Sequence, residues 1–185
     1  MNQKVTSREE ILSVSRELVK KEGSQAISIR SVAGACGVSV GSIYNYFGSK
    51  TKLLAATVES IWHEIFHNPD NPAVYEDTES CVNWMYRRME AGSREYPDFV
   101  ALHSLGLAEQ GKKENIRRMN ETQKHIQASL VRVLKHDSRI RKDAFNEAFT
   151  PEVFGDVLFS LMLAALLREE YDPAPVLEVL RRTVY

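Results

Sequence analysis

Apolar residues recur at helical spacing along most of the chain, and residues typical of helix ends separate the periodic segments. In the first segment Ile11, Val14 and Leu18 fall on one face of a helix. Ser7 can cap that helix by accepting a hydrogen bond from the amide of Glu10, whose carboxylate can reach back to the amide of Ser7. The same signals predict further helices over residues 28–36, 39–46, 49–67, 77–92, 98–111, 113–135 and 151–170, and a last one after residue 173.

The pattern contains no apolar–polar alternation long enough for a strand and no internal repeat. Gly23 is a natural end for the first helix, and Asn68 to Pro72 is predicted to be a loop. Thr150 followed by Pro151 is the expected start of a long helix. We therefore expect an all-α chain with about nine helices.

The composition is that of an ordinary globular protein, with 43% hydrophobic and 26% charged residues among 185. The polar start, MNQKVTSREE, is unlike a signal peptide. The longest nearly apolar run, Val157 to Leu167, is far shorter than the roughly 20 residues of a membrane span. Cys36 and Cys81 lie in helical patterns without CxxC spacing, as expected for buried thiols in a reducing compartment. These features predict a cytoplasmic protein without a membrane partner.

The charge is unevenly distributed along the chain. Residues 1–52 carry a net charge of +4 and the remainder carries −5, whereas the whole chain carries −1. A basic front and an acidic back predict a polyanionic partner for the front only.

Residues 29–48 have the pattern of two short helices joined by a tight turn. Ala33 has to be small because the second helix crosses close to it, Gly37 supplies the turn, and Ile43 fills the crossing. This pattern is typical of a helix-turn-helix, whose second helix enters the major groove of DNA.

The outward residues of the second helix offer chemistry suited to DNA. The hydroxyls of Ser39 and Ser42 can bind a phosphate or a base edge, and Tyr44 and Tyr46 add phenol groups and flat apolar surface. Lys50 opens the next helix, where a cation opposes the macrodipole unless an anion such as a DNA phosphate lies near. Taken singly, the turn, the tyrosines and the lysine have ordinary structural explanations. Together, in a basic segment, they favour DNA binding.

Residues from about 7 to 62 resemble the DNA-binding domain of the TetR (tetracycline-repressor-like, or AcrR-like) transcriptional regulators. The resemblance rests on IRSVA at 29–33, CGVS at 36–39 and GSIYNYF at 41–47, with Ser49-Lys50 and Leu53-Leu54 behind them. It implies a homeodomain-like three-helix head at residues 1–48, extended to about 65 by the linking helix. The C-terminal domain, residues 49–185, would then bind an effector and dimerise. It also implies a homodimer that binds a palindrome-like double-stranded DNA operator and is released by a small-molecule effector.

Two positions depart from the family pattern. Asn45 stands where a larger or more basic residue is common, which leaves the base preference open. Lys52 stands where an acidic residue is common and can add a phosphate contact. By matching position, DNA contact is implied for Arg30, Ser39, Gly41, Ser42, Tyr44, Asn45, Tyr46 and Lys50.

The helix from Pro151 is apolar on nearly every face from Val157 onward, which is typical of a helix buried all round. An isologous dimer contact would cover its outer face, and the last helix would complete a four-helix interface. The alternative is a core helix within one chain. The predicted interface residues are Phe154, Val157, Leu158, Leu161, Leu177 and Leu180.

An effector pocket is expected between helices of the C-terminal domain. Its candidate residues are large and apolar, with one polar anchor, and each of them has simple core packing as the alternative. His63 and His67 have i, i+4 spacing but no third ligand nearby, so no metal site is predicted. The candidate pocket residues are Trp84, Met89, Phe99, His103 and Met119.

The chain has no Walker loop, dinucleotide fingerprint or HExxH motif, so neither catalytic residues nor a cofactor is predicted. A helical enzyme would leave the pattern at 29–50 unexplained. A DNA-binding protein without a ligand, acting through protein partners or as an architectural dimer, would share the head and differ only in the C-terminal domain. The favoured function is a ligand-responsive homodimeric repressor.

Overall fold

A computed structural model of the chain describes residues 6–67, 72–96 and 112–185, and the regular structure within these ranges is entirely helical. The all-α prediction is confirmed. The helix predicted over 98–111 lies outside the described residues. Two short 3₁₀ turns, Ser24–Ala26 and Pro72–Tyr75, accompany the α-helices. These are α1 Arg8–Glu22, α2 Ile29–Cys36, α3 Val40–Phe47, α4 Lys50–Phe66, α5 Thr78–Glu95, α6 Lys112–His136, α7 Pro151–Arg168 and α8 Ala174–Val184.

The helices begin where the sequence predicts capping residues, because a cap is a local interaction. The side chains of Ser7, Ser39 and Ser49 each accept from the amide three residues ahead, at 3.0–3.1 Å. Thr150 caps α7 in the same way. The carboxylate of Glu10 accepts from the hydroxyl of its neighbour Thr6 at 3.1 Å. Local sequence therefore determines where most of the helices start.

The described residues form two compact units. The first contains residues up to Ile65 and the described part of 92–122, and the second contains the described part of 66–91 together with 123–185. The head predicted at residues 1–48, with its extension to about 65, falls within the first unit.

In the first unit α1 packs against α2, and α2 packs against α3. Ile11, Val32 and Ile43, one from each helix, are fully buried. Burying such aliphatic side chains stabilises the fold by roughly 1.5–3 kcal/mol each. Gly37 ends α2 with a φ of 68°, the left-handed conformation that glycine adopts most cheaply. Together these residues hold α2 and α3 in a fixed crossing.

A cluster of charged and aromatic groups joins α1, α4 and the end of α5 within the first unit. Glu64 accepts from Lys20 Nζ at 2.8 Å and from the hydroxyl of Tyr96 at 2.6 Å, and it pairs with Arg16. Lys20 also contacts Glu95 at 2.7 Å and lies 5.0 Å from the centroid of the Tyr96 ring. Burial and the hydrogen bond to Glu64 raise the pKa of Tyr96. The long α1 helix is thus fixed along its length as well as at its cap.

In the second unit α7 lies very close to α6. A Cβ atom placed on Gly155 of α7 would lie only 2.7 Å from Cγ2 of Val131, closer than side chains tolerate. The loop before α7 is closed by three aromatic rings, those of Phe145, Phe149 and Phe154, whose centroids are 5.4–6.5 Å apart. One glycine therefore sets the spacing of the two helices.

The buried carboxylate of Asp137 connects the start of α5 to the last residue of the chain. It accepts from the amide of Thr78 at 2.8 Å, from the amide of Arg139 at 3.0 Å and from the hydroxyl of Tyr185. Burial by itself would raise the pKa of Asp137, but these hydrogen bonds outweigh it and hold the pKa at about 2. Burial and the bond to Asp137 raise the pKa of Tyr185 to about 12. Arg139 completes the cluster by stacking on the Tyr185 ring at 4.6 Å and pairing with Glu79 at 2.9 Å.

Four of the residues predicted for a dimer interface belong instead to the core of the second unit. Phe154 and Leu158 of α7 are at most 2% exposed, and Leu177 and Leu180 of α8 are at most 7% exposed. These four side chains are covered within a single chain, and the dimer interface itself stays a prediction. An all-round apolar helix does not reveal from sequence which of its faces meets its own chain.

The opposite face of α7 is apolar as well, but it is open to solvent. Val157 is 42% exposed and Leu161 is half-buried, so these two predicted interface residues remain available. Within the described ranges, none of the helices combines the length and apolar character needed to cross a bilayer. We call this face the α7 stripe. Its residues follow helical spacing and are Val153, Val157, Leu161, Ala164 and Leu167.

Candidate nucleic-acid interface

The recognition helix of the predicted helix-turn-helix, α3, has one face in the core and one in solvent. Ile43 and Phe47 anchor it, with 0% and 6% exposure. Tyr44 and Tyr46 lie on the outer face with 48% and 45% exposure, which is large for tyrosine. The other predicted contacts are exposed or, for Ser42, partly exposed: Arg30, Ser39, Gly41, Ser42, Asn45 and Lys50.

The two serines at the start of α3 already bond to each other. Ser39 Oγ accepts from the amide of Ser42 at 3.1 Å and lies 2.9 Å from Ser42 Oγ. One hydroxyl proton of the pair remains free to donate outward. Gly37 to Gly41 also spells G-x-S-x-G, but here the serine joins two helices rather than following a strand as in a hydrolase elbow. The serine pair therefore serves primarily as the cap of α3.

Tyr46 has a second role that was not predicted. Its hydroxyl donates to the backbone carbonyl of Thr6, ahead of α1. Tyr46 therefore fastens the start of the chain's first helix to α3, while its ring remains on the surface. The hydroxyl of Tyr44, by contrast, has no partner among the described residues and is available to a ligand.

A polar surface groove of about 380 Å³ runs beside the C-terminal end of α3. The guanidinium of Arg8 lies 5.5 Å from the centroid of the Phe47 ring, a cation–π contact that holds the charge at this groove. Lys52 brings a second cation, and none of the described lining residues is acidic. The groove is lined by Arg8, Tyr44, Asn45, Tyr46, Phe47, Gly48 and Lys52.

Arg8 is absent from the contacts predicted from sequence because it lies far from α3 along the chain. A signal for it does exist. Arg8 is the first residue of α1, as Lys50 is of α4, and a cation at a helix N-terminus opposes the helix dipole. Moreover, the chain has no carboxylate between Glu22 and Glu59. The segment that carries α2 and α3 thus lacks local acidic groups, whereas Arg8 itself is followed by Glu9 and Glu10.

The predicted effector-pocket residues do not all come together. Trp84 lines a small chamber of the second unit together with Cys81 and Met85. Met89 is 1% exposed and lines neither this chamber nor a neighbouring surface groove between α6 and the 3₁₀ turn Pro72–Tyr75. Phe99 and His103 lie outside the described residues, as does the side chain of Met119.

Residues 11–57 match the model of the bacterial regulatory proteins of the tetR family. Over 65 residues the chain is 35% identical to the HTH-type transcriptional repressor KstR of Rhodococcus jostii (strain RHA1). That alignment covers 35% of this chain and 31% of the repressor, so it spans less than a third of the relative's length.

Solved structures share the fold over nearly the whole chain. The multidrug binding protein EbrR in complex with imidazole has a TM-score of 0.62 at 20% identity, covering 98% of this chain and 97% of that one. BioQ with its double-stranded DNA operator has a TM-score of 0.59 at 16% identity, with 90% and 87% covered. At these identities the likeness shows the fold alone. The resemblance predicted from the motifs at residues 29–54 is confirmed by the family match, which covers residues 11–57.

Proposed function

We propose that this protein is a sequence-specific, homodimeric transcriptional repressor that leaves its operator when a small molecule binds. The observation that carries the proposal is the outer face of α3, where Tyr44 and Asn45 project from a rigid helix-turn-helix in a segment without carboxylates. Such a helix can read base edges in the major groove while flanking cations bind phosphates. The names of KstR, a repressor, and of BioQ, solved on its operator, support this reading.

The direct test is fluorescence anisotropy on DNA from upstream of the protein's own gene, over a series of salt concentrations and with scrambled competitor DNA. Tight, competitor-resistant binding with two chains per site is expected. Equal, weak binding to both DNAs would be followed by selection from random sequences. A selection that returns no preferred site would contradict sequence-specific recognition.

Effector release is separable from DNA binding. A molecule that binds the free protein more tightly than the DNA-bound protein must raise the melting temperature and weaken operator binding together, because the coupling is reciprocal. Helix α4 joins the head to the rest of the chain, and we propose it as the lever that changes the separation of the two heads. If no molecule both raises the melting temperature and weakens operator binding, the result favours the alternative, a DNA-binding protein that takes no ligand.

The α7 stripe is the proposed contact between two copies of the chain. Val157→Asp should weaken dimerisation by about 100-fold, because it places an unpaired charge in an apolar contact without touching the chain's own core. Sedimentation velocity over a concentration series measures the change. Ala148→Asp, which adds the same charge at an exposed loop position, is the control. Equal dimerisation of Val157→Asp and wild type would place the interface elsewhere.

Arg8 is proposed as a phosphate contact beside α3. Arg8→Gln should weaken binding to every DNA sequence alike and lower the slope of log affinity against log salt by about one unit per head. The measurement is the salt series described above, with Lys21→Gln, an exposed cation at the far end of α1, as the control. A loss of affinity confined to one base position, or an unchanged slope, would contradict a phosphate contact.

A further inference from the structure

A groove of about 390 Å³ opens on the second unit between α6 and the 3₁₀ turn Pro72–Tyr75. This volume lies within the range of small-molecule sites. Four of its lining residues follow helical spacing on one face of α6, and a tyrosine from the turn faces them. The lining residues are Tyr75, Ser129, Arg132, Val133 and His136.

The groove contains a positive charge, that of Arg132. Among the described residues, Arg132 has no ion-pair partner and the lining of the groove includes no carboxylate. The positive charge of Arg132 also reaches the phenol of Tyr75, where it opposes the rise in pKa caused by burial and by Cys81. The later arginines of the chain, in contrast, each bond to a carboxylate or a carbonyl: Arg139, Arg141, Arg168, Arg181 and Arg182.

Two hydroxyls and an oriented imidazole accompany this charge. Tyr75 and Ser129 lie on the wall of the groove, and Nδ1 of His136 is 2.7 Å from the backbone carbonyl of Arg132. That contact fixes the orientation of the imidazole beside the arginine. The described residues of the groove therefore offer donors to an anion and include no carboxylate that would compete for them.

An apolar chamber of about 30 Å³ adjoins the groove, and the two share Tyr75 and Ser129 in their walls. Phe66 and Trp84 meet edge to face there, with ring centroids 6.1 Å apart. The site thus has a cationic groove at the surface and an aromatic chamber beside it. The other chamber residues are Cys81, Met85 and Ile126.

We propose that this groove binds an organic carboxylate with a flat apolar body. The carboxylate pairs with the guanidinium fork of Arg132, assisted by the Tyr75 hydroxyl, and the apolar body points toward Trp84. An alcohol or an amide of the same shape lacks the charge that Arg132 selects. That the bound molecule acts as the effector rests on the function proposed above, whereas its binding does not.

The test uses 2-naphthoate and its neutral counterpart 2-naphthamide, with tryptophan fluorescence of the full chain as the readout. Wild type should bind the carboxylate at least about tenfold more tightly than the amide. Arg132→Gln should remove that preference and leave amide binding within about twofold. Arg182→Gln makes the same change at a side chain that is 79% exposed and away from the groove, and it should behave as wild type.

A second variant tests the position of the apolar body. Ser129→Leu fills the junction of groove and chamber and should weaken both probes alike. No binding of 2-naphthoate up to about 1 mM, an amide bound as tightly as the acid, or an unaltered preference in Arg132→Gln would each overturn the site. If 2-naphthoate binds in a way that depends on Arg132 but leaves operator affinity unchanged, the effector role is overturned. If the protein fails to bind an operator even without any ligand, the result counts instead against the proposed function.

Discussion

A chain that carries both Tyr44→Ala and Lys50→Ala is expected to lose affinity for its operator by about 100-fold or more, with no loss of folding stability. Tyr44 is the tyrosine of α3 whose hydroxyl has no partner among the described residues, so we expect its removal to delete a contact to DNA rather than a bond of the fold. In the proposed dimer each change is present twice, which would double the cost in binding free energy.

We expect Lys50 to contribute to DNA binding through its charge. It is the first residue of α4, whose opening turn contains no acidic residue, so alanine there relieves the repulsion between the lysine and the helix dipole. The variant should therefore melt at the wild-type temperature or slightly above it, while the slope of log affinity against log salt falls by about one unit per head.

The measurement pairs operator anisotropy with thermal melting. Lys21→Ala, in the last turn of α1, changes the same charge in the same unit and should alter neither quantity appreciably. Unchanged operator affinity in the double variant would show that α3 does not read the DNA. A large fall in melting temperature would show instead that the outer face is part of the fold.

The largest effect on stability is expected at Asp137. Replacing it with asparagine keeps its shape but removes the negative charge beside Arg139 and turns an amide donor toward groups that themselves donate, the Thr78 amide and the Tyr185 hydroxyl. We expect a loss of about 2–4 kcal/mol in the free energy of unfolding. Urea unfolding at neutral pH measures it. Asp143→Asn, an exposed carboxyl in the same loop, should cost less than about 0.5 kcal/mol.

The same residue predicts how stability depends on pH. The pKa of Asp137 is about 2 in the folded chain, below the value of about 3.9 usual for an unfolded aspartate. Its contribution of about 2–3 kcal/mol is therefore complete above pH 4 or so and is lost as the pH falls toward 2. The stability gap between wild type and Asp137→Asn should narrow over that interval. A gap that stays constant from neutral pH down to pH 2 would contradict the ionised network.

The starts of the helices and the turn at Gly37 could be predicted from sequence because each depends on residues within one turn of the chain. Ser39 and Ser49 cap their helices by bonding to an amide three residues away, and such spacing can be recognised in the sequence. The exposure of Tyr44 followed from the same local reasoning, since Ile43 and Phe47 had to face inward.

What could not be predicted depends on residues distant along the chain. Arg8 reaches the α3 groove only because the fold brings the start of α1 to the end of α3, and Tyr46 bonds to the Thr6 carbonyl for the same reason. The α7 helix posed a different problem, because both of its faces are apolar. Only the folded chain, in which Phe154 packs against the rings of Phe145 and Phe149, shows that Phe154 is core while Val157 is open to solvent.

The opening turn of α4 also has a consequence for local motion. The Ser49 cap holds the amide of Lys52, and this turn carries two lysines and no acidic residue of its own. In the free protein this turn should open more often than the middle of the helix, so its amide hydrogens should exchange early with deuterated solvent. A phosphate seated there would neutralise the lysines and close the turn, and bound DNA should slow exchange at Thr51 and Lys52 before it slows exchange at Ile61.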